Sequence, residues 1–356
     1  MNEKVQRNGA IDFWKFTFSI LIVIRHLELM PSFAHGNIIW FKSASIGVEF
    51  FFITSGFLMA KHTCAKGEST GKATWKFIKS KYLGIFPMYL FAYIVSLTVK
   101  AALGDNLLNL FGGSVFELLF LHNAGLSQLF GARFFVVQAT WYILAMLLSM
   151  FILFPILHSR RDLFLNVIAP LLCIFIMGYF AKHEGTIEFI DGIFSLMRAT
   201  ATICLGCIAY RICEVIKKCQ IAKAIAVILT FVEFSCYISI FVTAFFMERG
   251  MYDFIAVIIL AAGIVISFSG KSYSGIIFHG ALCRFLGKLS LAIYLNHVII
   301  IYLFDDFNMP LSPKTEIILV FALTLSISLI CVFLTDIIKT LIKKRKSLKQ
   351  AAVDKT

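Results

Sequence analysis

Charge is what this 356-residue chain has little of: Asp, Glu, Lys and Arg make up 15% of it, where a soluble domain carries about 25%. With 60% hydrophobic residues and a mean hydropathy of +0.88, that scarcity excludes a soluble globular protein. It predicts an all-α polytopic membrane protein, because a lipid-embedded backbone must satisfy its polar groups within helices. Proline is also scarce, at six residues, and neither an internal repeat nor a low-complexity tract is visible. A transporter built from repeated, broken helices is therefore disfavoured. No G-x-S-x-G nucleophile elbow occurs. No metal is expected, because the one pair with redox or metal-ligand spacing, Cys204 and Cys207, lies in mid-span. Nine cysteines fall mostly in apolar segments, where the thiol behaves as a small buried hydrophobe. Cys204-x-x-Cys207 has redox spacing but lies in the middle of a span.

Ten stretches are long and apolar enough to cross a bilayer: 11–30, 44–60, 82–103, 136–157, 163–181, 192–213, 222–246, 252–269, 286–304 and 316–338. A basic, Trp-containing stretch before the third, Lys72–Lys81, reads as an interfacial helix. The longest connection is Gly104–Val136, with a semi-apolar piece, Val115–Leu121, too short to cross. The organisation expected is one membrane domain, 1–340, and a basic cytoplasmic tail, 341–356, without a soluble domain. The start, MNEKVQRNGA, offers no small-residue cleavage site, so the first span is expected to be retained.

The net charge of +13 does not form one patch that would suit nucleic acid. With the N-terminus inside, the inner loops and tail hold 24 Lys and Arg and the outer loops 6. That bias supports ten spans with both termini in the cytoplasm. With cations at span ends counted in the adjacent loops, Lys15, Arg25 and Arg198 remain within spans.

Two of the polar residues of the first span share a face. Lys15 and His26 are eleven positions apart, about 1100° of helical rotation, only ~20° past three full turns. They are ~16 Å apart along the axis, about half the hydrocarbon thickness. Ionisable side chains at membrane depth cost about 2.5–3.5 kcal/mol each. The alternative is that Lys15 snorkels to the inner headgroups while His26 sits in the outer interface.

Four stretches in this order resemble the acyltransferase-3 family of integral membrane acyltransferases, which O-acetylate surface polysaccharides and other extracytoplasmic acceptors. Ile11-Asp-Phe-Trp-Lys15 through His26 fits the family's basic-residue-x10-His pattern. Gly47-Val-Glu-Phe-Phe-Phe-Ile-Thr-Ser55-Gly56 fits G-x-x-x-F-F-x-x-S-G. Lys81-Tyr-Leu-Gly84-Ile-Phe-Pro87 stands where the family has R-x-x-R-x-x-P, keeping one cation and losing the other. Leu286-Gly-Lys-Leu-Ser290-Leu-Ala-Ile-Tyr294-Leu-Asn-His297 matches L-G-x-x-S-x-x-I-Y-L-x-H. No periplasmic hydrolase-like domain of the kind appended to some members is expected after the tenth span.

The resemblance implies transfer of an acyl group, most simply acetyl from acetyl-CoA, to a glycan or lipid-linked sugar at a bacterial cytoplasmic membrane. Membrane lipids are the other partner, and the oligomeric state is left open. His26 is the candidate general base, since imidazole titrates nearest neutrality. Glu49, isolated in an apolar run, either orients His26 or forms an ion pair with Arg25 or Lys15. Ser55 and Gly56 read as a helix-packing point rather than a nucleophile. Lys15 and Lys81 are candidate contacts for the donor's phosphates, with Lys79 as a substitute or a solvated interfacial residue. Arg198 must find either a carboxylate or a donor phosphate. Arg25, Trp141, Tyr294 and His297 are candidate acceptor contacts. Trp141 is alternatively a headgroup anchor, and His297 alternatively a packed histidine. His158-Ser-Arg-Arg-Asp162 has the H-x-x-x-D spacing of soluble acyltransferases, but in a tight inner loop. The rival functions are a sugar transporter or flippase, and a membrane acyltransferase of another class centred on His297.

Overall fold

The computed structural model describes residues 7–30, 41–62, 67–106, 117–118, 136–190, 192–307 and 311–353. Among these, ten helices exceed fourteen residues. They are α1 Gly9–His26, α2 Gly47–Lys61, α3 Thr70–Ala102, α4 Trp141–Ser159, α5 Ala169–His183, α6 Gly192–Lys218, α7 Lys223–Phe246, α8 Tyr252–Ser269, α9 Ala281–Phe307 and α10 Pro313–Val353. Nine described helical segments are long and apolar enough to span a membrane. α1 is the helix outside that set: its 18 residues carry Asp12, Lys15 and Arg25. The protein is an all-α, multi-pass membrane protein.

The expected interfacial helix before the third span is not a separate element. Lys72–Lys81 forms the first turns of α3, which runs on through Pro87 for 33 residues, about 50 Å. Nothing in its sequence breaks the helix between the basic stretch and the apolar one. Most of the Gly104–Val136 connection, including all of Val115–Leu121 except Glu117 and Leu118, lies outside the described residues.

α1 lies along α9, and α2 along α6; α4 packs on α6 and α3. α2 is 72% buried within the protein, whereas α7 is 17% buried and presents its apolar surface outward, toward lipid. α2 and α6 meet backbone to backbone. A Cβ on Gly56 would fall 2.0 Å from the Ile203 carbonyl oxygen, and one on Gly206 would fall 2.1 Å from that of Ile53. Small residues at such a crossing allow the close van der Waals packing that drives helix association in lipid. Gly56 is thus a packing point, and the Cys207 thiol sits 3.5 Å from its carbonyl.

Contacts between segments define two ends. The Asn8 side chain caps α1 by accepting from Ile11 N–H at 3.1 Å and donates to the Ser267 carbonyl at 2.7 Å. The start of α1 therefore meets the end of α8, which stops at Gly270 in the left-handed conformation (φ 68°). His158 bonds the Glu68 carbonyl at 3.1 Å, and Arg161 bonds that of Ala60 at 2.5 Å, so the ends of α4 and α2 meet there too. The opposite end gathers the end of α1 and the starts of α2, α4, α6 and α8.

Candidate active site

α1 ends at His26, and α9 passes beside it. His26 Nδ1 is 2.8 Å from the Ile22 carbonyl oxygen and 3.3 Å from His297 Nε2. The two rings are 4.8 Å apart and inclined at 68°. His297 is fully buried, with Nδ1 2.8 Å from the Tyr294 carbonyl. One turn back on α9, the Tyr294 hydroxyl donates to the Ala139 carbonyl at 2.9 Å, fastening α9 to the turn Gln138–Thr140 that leads into α4.

These side chains line a cavity of about 220 Å³. Six residues expected at the site share it: Arg25, His26, Trp141, Arg198, Tyr294 and His297. Glu28, Ser45, Gln138 and Glu188, none singled out in the sequence, complete its polar wall. Arg25 pairs with Glu28, one helical turn on, while its Nε is buried and meets no acceptor among the described residues. The Arg198 guanidinium lies 5.1 Å over the Trp141 ring, a cation–π contact that orients both.

Glu49 is placed differently from expectation. It does not contact His26, Arg25 or Lys15 among the described residues. It lies fully buried in α2 with Arg198 Nε at 2.7 Å and Arg249 Nη2 at 3.5 Å. Arg198 also donates to the Phe189 carbonyl at 2.9 Å. Arg249 reaches Ser45 Oγ at 2.9 Å and Asp253 at 2.8 Å, and Asp253 accepts from the Thr186 hydroxyl at 2.7 Å. Ser45 in turn donates to Glu188. The Arg198 partner is thus a carboxylate from within the chain. Arg249 counts as an outer-loop charge in the sequence; only the three-dimensional structure turns it inward.

Glu117 is a further buried carboxylate near this end. Its two oxygens accept from the backbone N–H groups of Val136 and Val137 at 2.7 and 2.6 Å, just before the cavity-lining turn. Burial pushes its carboxyl up to about 7, against the pull of those two N–H donors.

Lys15 and Lys81 lie away from the cavity, toward the other end. Among the described residues neither forms an ion pair. Their like charges oppose one another, and Lys81 Nζ sits 5.5 Å over the Phe77 ring. Nearby, burial first and then Lys81 and Lys76 push the His62 imidazole below its ordinary range. Lys79 is exposed. So is Gly84, where an added side chain would meet open space. His158 is held by the Glu68 carbonyl, while Asp162 is exposed. Among the described residues no group of three potential metal ligands comes together.

No curated protein and no solved structure matches the chain. A family model described as an acyltransferase domain matches residues 8–335, nearly its whole length. By that match, over helices that enclose both the histidine pair and the lysine pair, the chain belongs to the acyltransferase-3 family of membrane acyltransferases.

Proposed function

We propose that this protein moves an acetyl group from cytoplasmic acetyl-CoA to a hydroxyl of an extracytoplasmic glycan or lipid-linked sugar, in a bacterial cytoplasmic membrane with both termini inside. The observation that carries the reading is the cavity where His26, His297, Arg25 and Trp141 converge, at the bundle end opposite Lys15 and Lys81. At about 220 Å³ it is smaller than the ~300–1,000 Å³ pockets of drug-sized ligands. It suits a sugar ring and an acetyl group rather than a whole coenzyme. Trp141 offers a flat apolar face, and Gln138, Glu28 and Glu188 offer hydrogen-bond partners to hydroxyls.

His26 takes the acceptor hydroxyl's proton as the oxygen attacks the thioester carbonyl. The developing oxyanion needs a donor, and Arg25 Nε is buried beside the cavity and meets no acceptor among the described residues. Lys15 and Lys81, which form no ion pair among the described residues, receive the phosphates of the donor at the basic, cytoplasmic end. Substituting His26→Ala in protein purified in nanodiscs, with acetyl-CoA supplied and thiol release measured, is expected to lower turnover about 10²–10⁴-fold while the protein stays folded. Undiminished turnover would overturn the base assignment. Acetyl content of the surface glycans in cells with and without the protein tests the acceptor class.

A further inference from the structure

The His26 imidazole has two nitrogens, and the hydrogen bonds decide which one is available as a base. Backbone carbonyls accept and never donate. His297 Nδ1 lies 2.8 Å from the Tyr294 carbonyl oxygen and 3.2 Å from that of Ile293. Nδ1 therefore carries the proton, and neutral His297 presents a lone pair on Nε2. That Nε2 is 3.3 Å from His26 Nδ1, whose other neighbour is the Ile22 carbonyl at 2.8 Å. Both neighbours of His26 Nδ1 are acceptors, so Nδ1 holds the proton and shares it between them. The lone pair of His26 is left on Nε2.

The Ile22 carbonyl already serves the α1 ladder, accepting from the backbone four residues on. His297 is the acceptor that a second helix supplies. Among the described residues no carboxylate hydrogen-bonds His26 Nδ1: Glu188 lines the cavity and accepts from Ser45, and Glu49 is bound by Arg198 and Arg249.

We propose that His297 is a positioning residue for acyl transfer, holding His26 as the Nδ1–H tautomer so that Nε2 receives the acceptor's proton. This rests on the reading of His26 as base. In the step, the acceptor oxygen bonds to the thioester carbonyl carbon as its O–H proton passes to His26 Nε2. The C–S bond then breaks, and the same proton goes to the departing sulfur. The products are an ester and a free thiol. While His26 carries both protons, its Nδ1–H bond to His297 Nε2 is charge-assisted and therefore stronger than in the resting state. A contact that strengthens as the proton moves favours the transition state over the ground state.

The test compares His297→Leu, which removes the acceptor, with His297→Gln, which offers a carbonyl oxygen near the position of Nε2. In nanodiscs with acetyl-CoA as probe and thiol release as readout, His297→Leu is expected to lower kcat about 10–100-fold, the scale seen when partners that orient metal-ligating histidines are removed. KM for acetyl-CoA stays within about twofold, since on the proposed function the donor is held by its phosphates at the lysine end. His297→Gln recovers most of the lost kcat. A His297→Leu rate within twofold of the parent, a loss seen in KM rather than kcat, or a Gln variant no better than the Leu variant overturns the proposal. Spectra of ¹⁵N-histidine-labelled protein give a readout that needs no turnover. His26 is expected as the Nδ1–H tautomer in the parent protein, with its Nδ1 signal displaced in His297→Leu. An Nε2–H tautomer in the parent overturns the proposal. Loss of turnover in His26→Ala with none in His297→Leu defeats this inference alone, whereas an active His26→Ala defeats the base reading beneath it.

Discussion

At the end of the bundle where α1 finishes, buried charges come in a closed set: Glu49 between Arg198 and Arg249, and Arg249 on to Asp253. At the other end, Lys15 and Lys81 have no carboxylate in ion-pair range among the described residues, although Asp12 acts on Lys15 from a greater distance, and the two lysine charges oppose. Closed sets fix geometry, since each member is held by the next and the local field is already neutralised. Open cations hold a place for an anion brought from outside. Under the proposed function the cavity end positions and the lysine end recruits the donor, and each half of that reading can be broken separately.

The largest effect is expected from opening a closed set. Glu49→Ala leaves Arg198, only 1% exposed, without its carboxylate; breaking a buried pair this way costs about 3–5 kcal/mol. The apparent Tm in detergent should fall steeply, and activity with it. Replacing both Glu49 and Arg198 by Leu should lose less stability than Glu49→Ala alone, because no unpaired charge is left between them. If Glu49→Ala is thermally neutral, the cavity end is not held by its charges.

Glu117 sharpens the same point, because it is held by backbone N–H groups at the cavity end. Its carboxyl, raised from 4.5 to about 7 by burial, is favoured in the protonated form when folded. Its contribution to stability is therefore fully present below about pH 4.5 and is lost as pH rises through about 7, a change on the order of 3 kcal/mol. The apparent Tm should decline between about pH 5 and pH 8. Glu117→Gln should flatten that decline, and an identical slope in the variant would remove Glu117 as its source.

A smaller effect is expected at the open end. Lys15→Ala or Lys81→Ala removes one of the two charges proposed to meet the donor's phosphates. KM for acetyl-CoA should rise roughly fivefold to tenfold, about 1–1.4 kcal/mol, with kcat little changed. The KM of the parent should rise with salt, and the variants should depend on salt less, as screening acts on fewer contacts. A kcat loss without a KM change would move the lysines from recruitment to chemistry.

The helices were legible because membrane spans are written in composition, and the spacing of Lys15 and His26 follows from helical period alone. Their roles in the structure follow from what packs beside them, which period does not encode. His26 and His297 are each conspicuous in the sequence, but their contact joins positions 271 residues apart and depends on how α1 and α9 are rotated. Glu49 was visible as an isolated carboxylate, yet its partners are set by α6 and by Arg249, a residue whose loop position marks it as solvated. The cavity's Glu188, Ser45 and Gln138 carry no sequence signal, because polar residues between spans are ordinary there.

The smallest predicted effect concerns Gly84, where the resemblance leads one to expect a second cation. Gly84 lies three residues after Lys81 on α3, and side chains three apart are neighbours on a helix face. It is exposed, and nothing lies within 4 Å of a built Cβ, so Gly84→Arg fits without displacing a neighbour. Arginine replaces glycine within a helix at a gain of up to about 0.8–1 kcal/mol in propensity, so the variant should not unfold. Its planar guanidinium grips phosphate in a bidentate fork that lysine lacks. KM for acetyl-CoA should fall about twofold to fivefold, under about 1 kcal/mol, and the gain should shrink when Lys81 is also replaced, because neighbouring contacts to one anion are coupled. If Gly84→Arg leaves KM unchanged while Lys81→Ala raises it, the donor's phosphates lie on the Lys15 side of Lys81, and the lysine pair alone forms the open end.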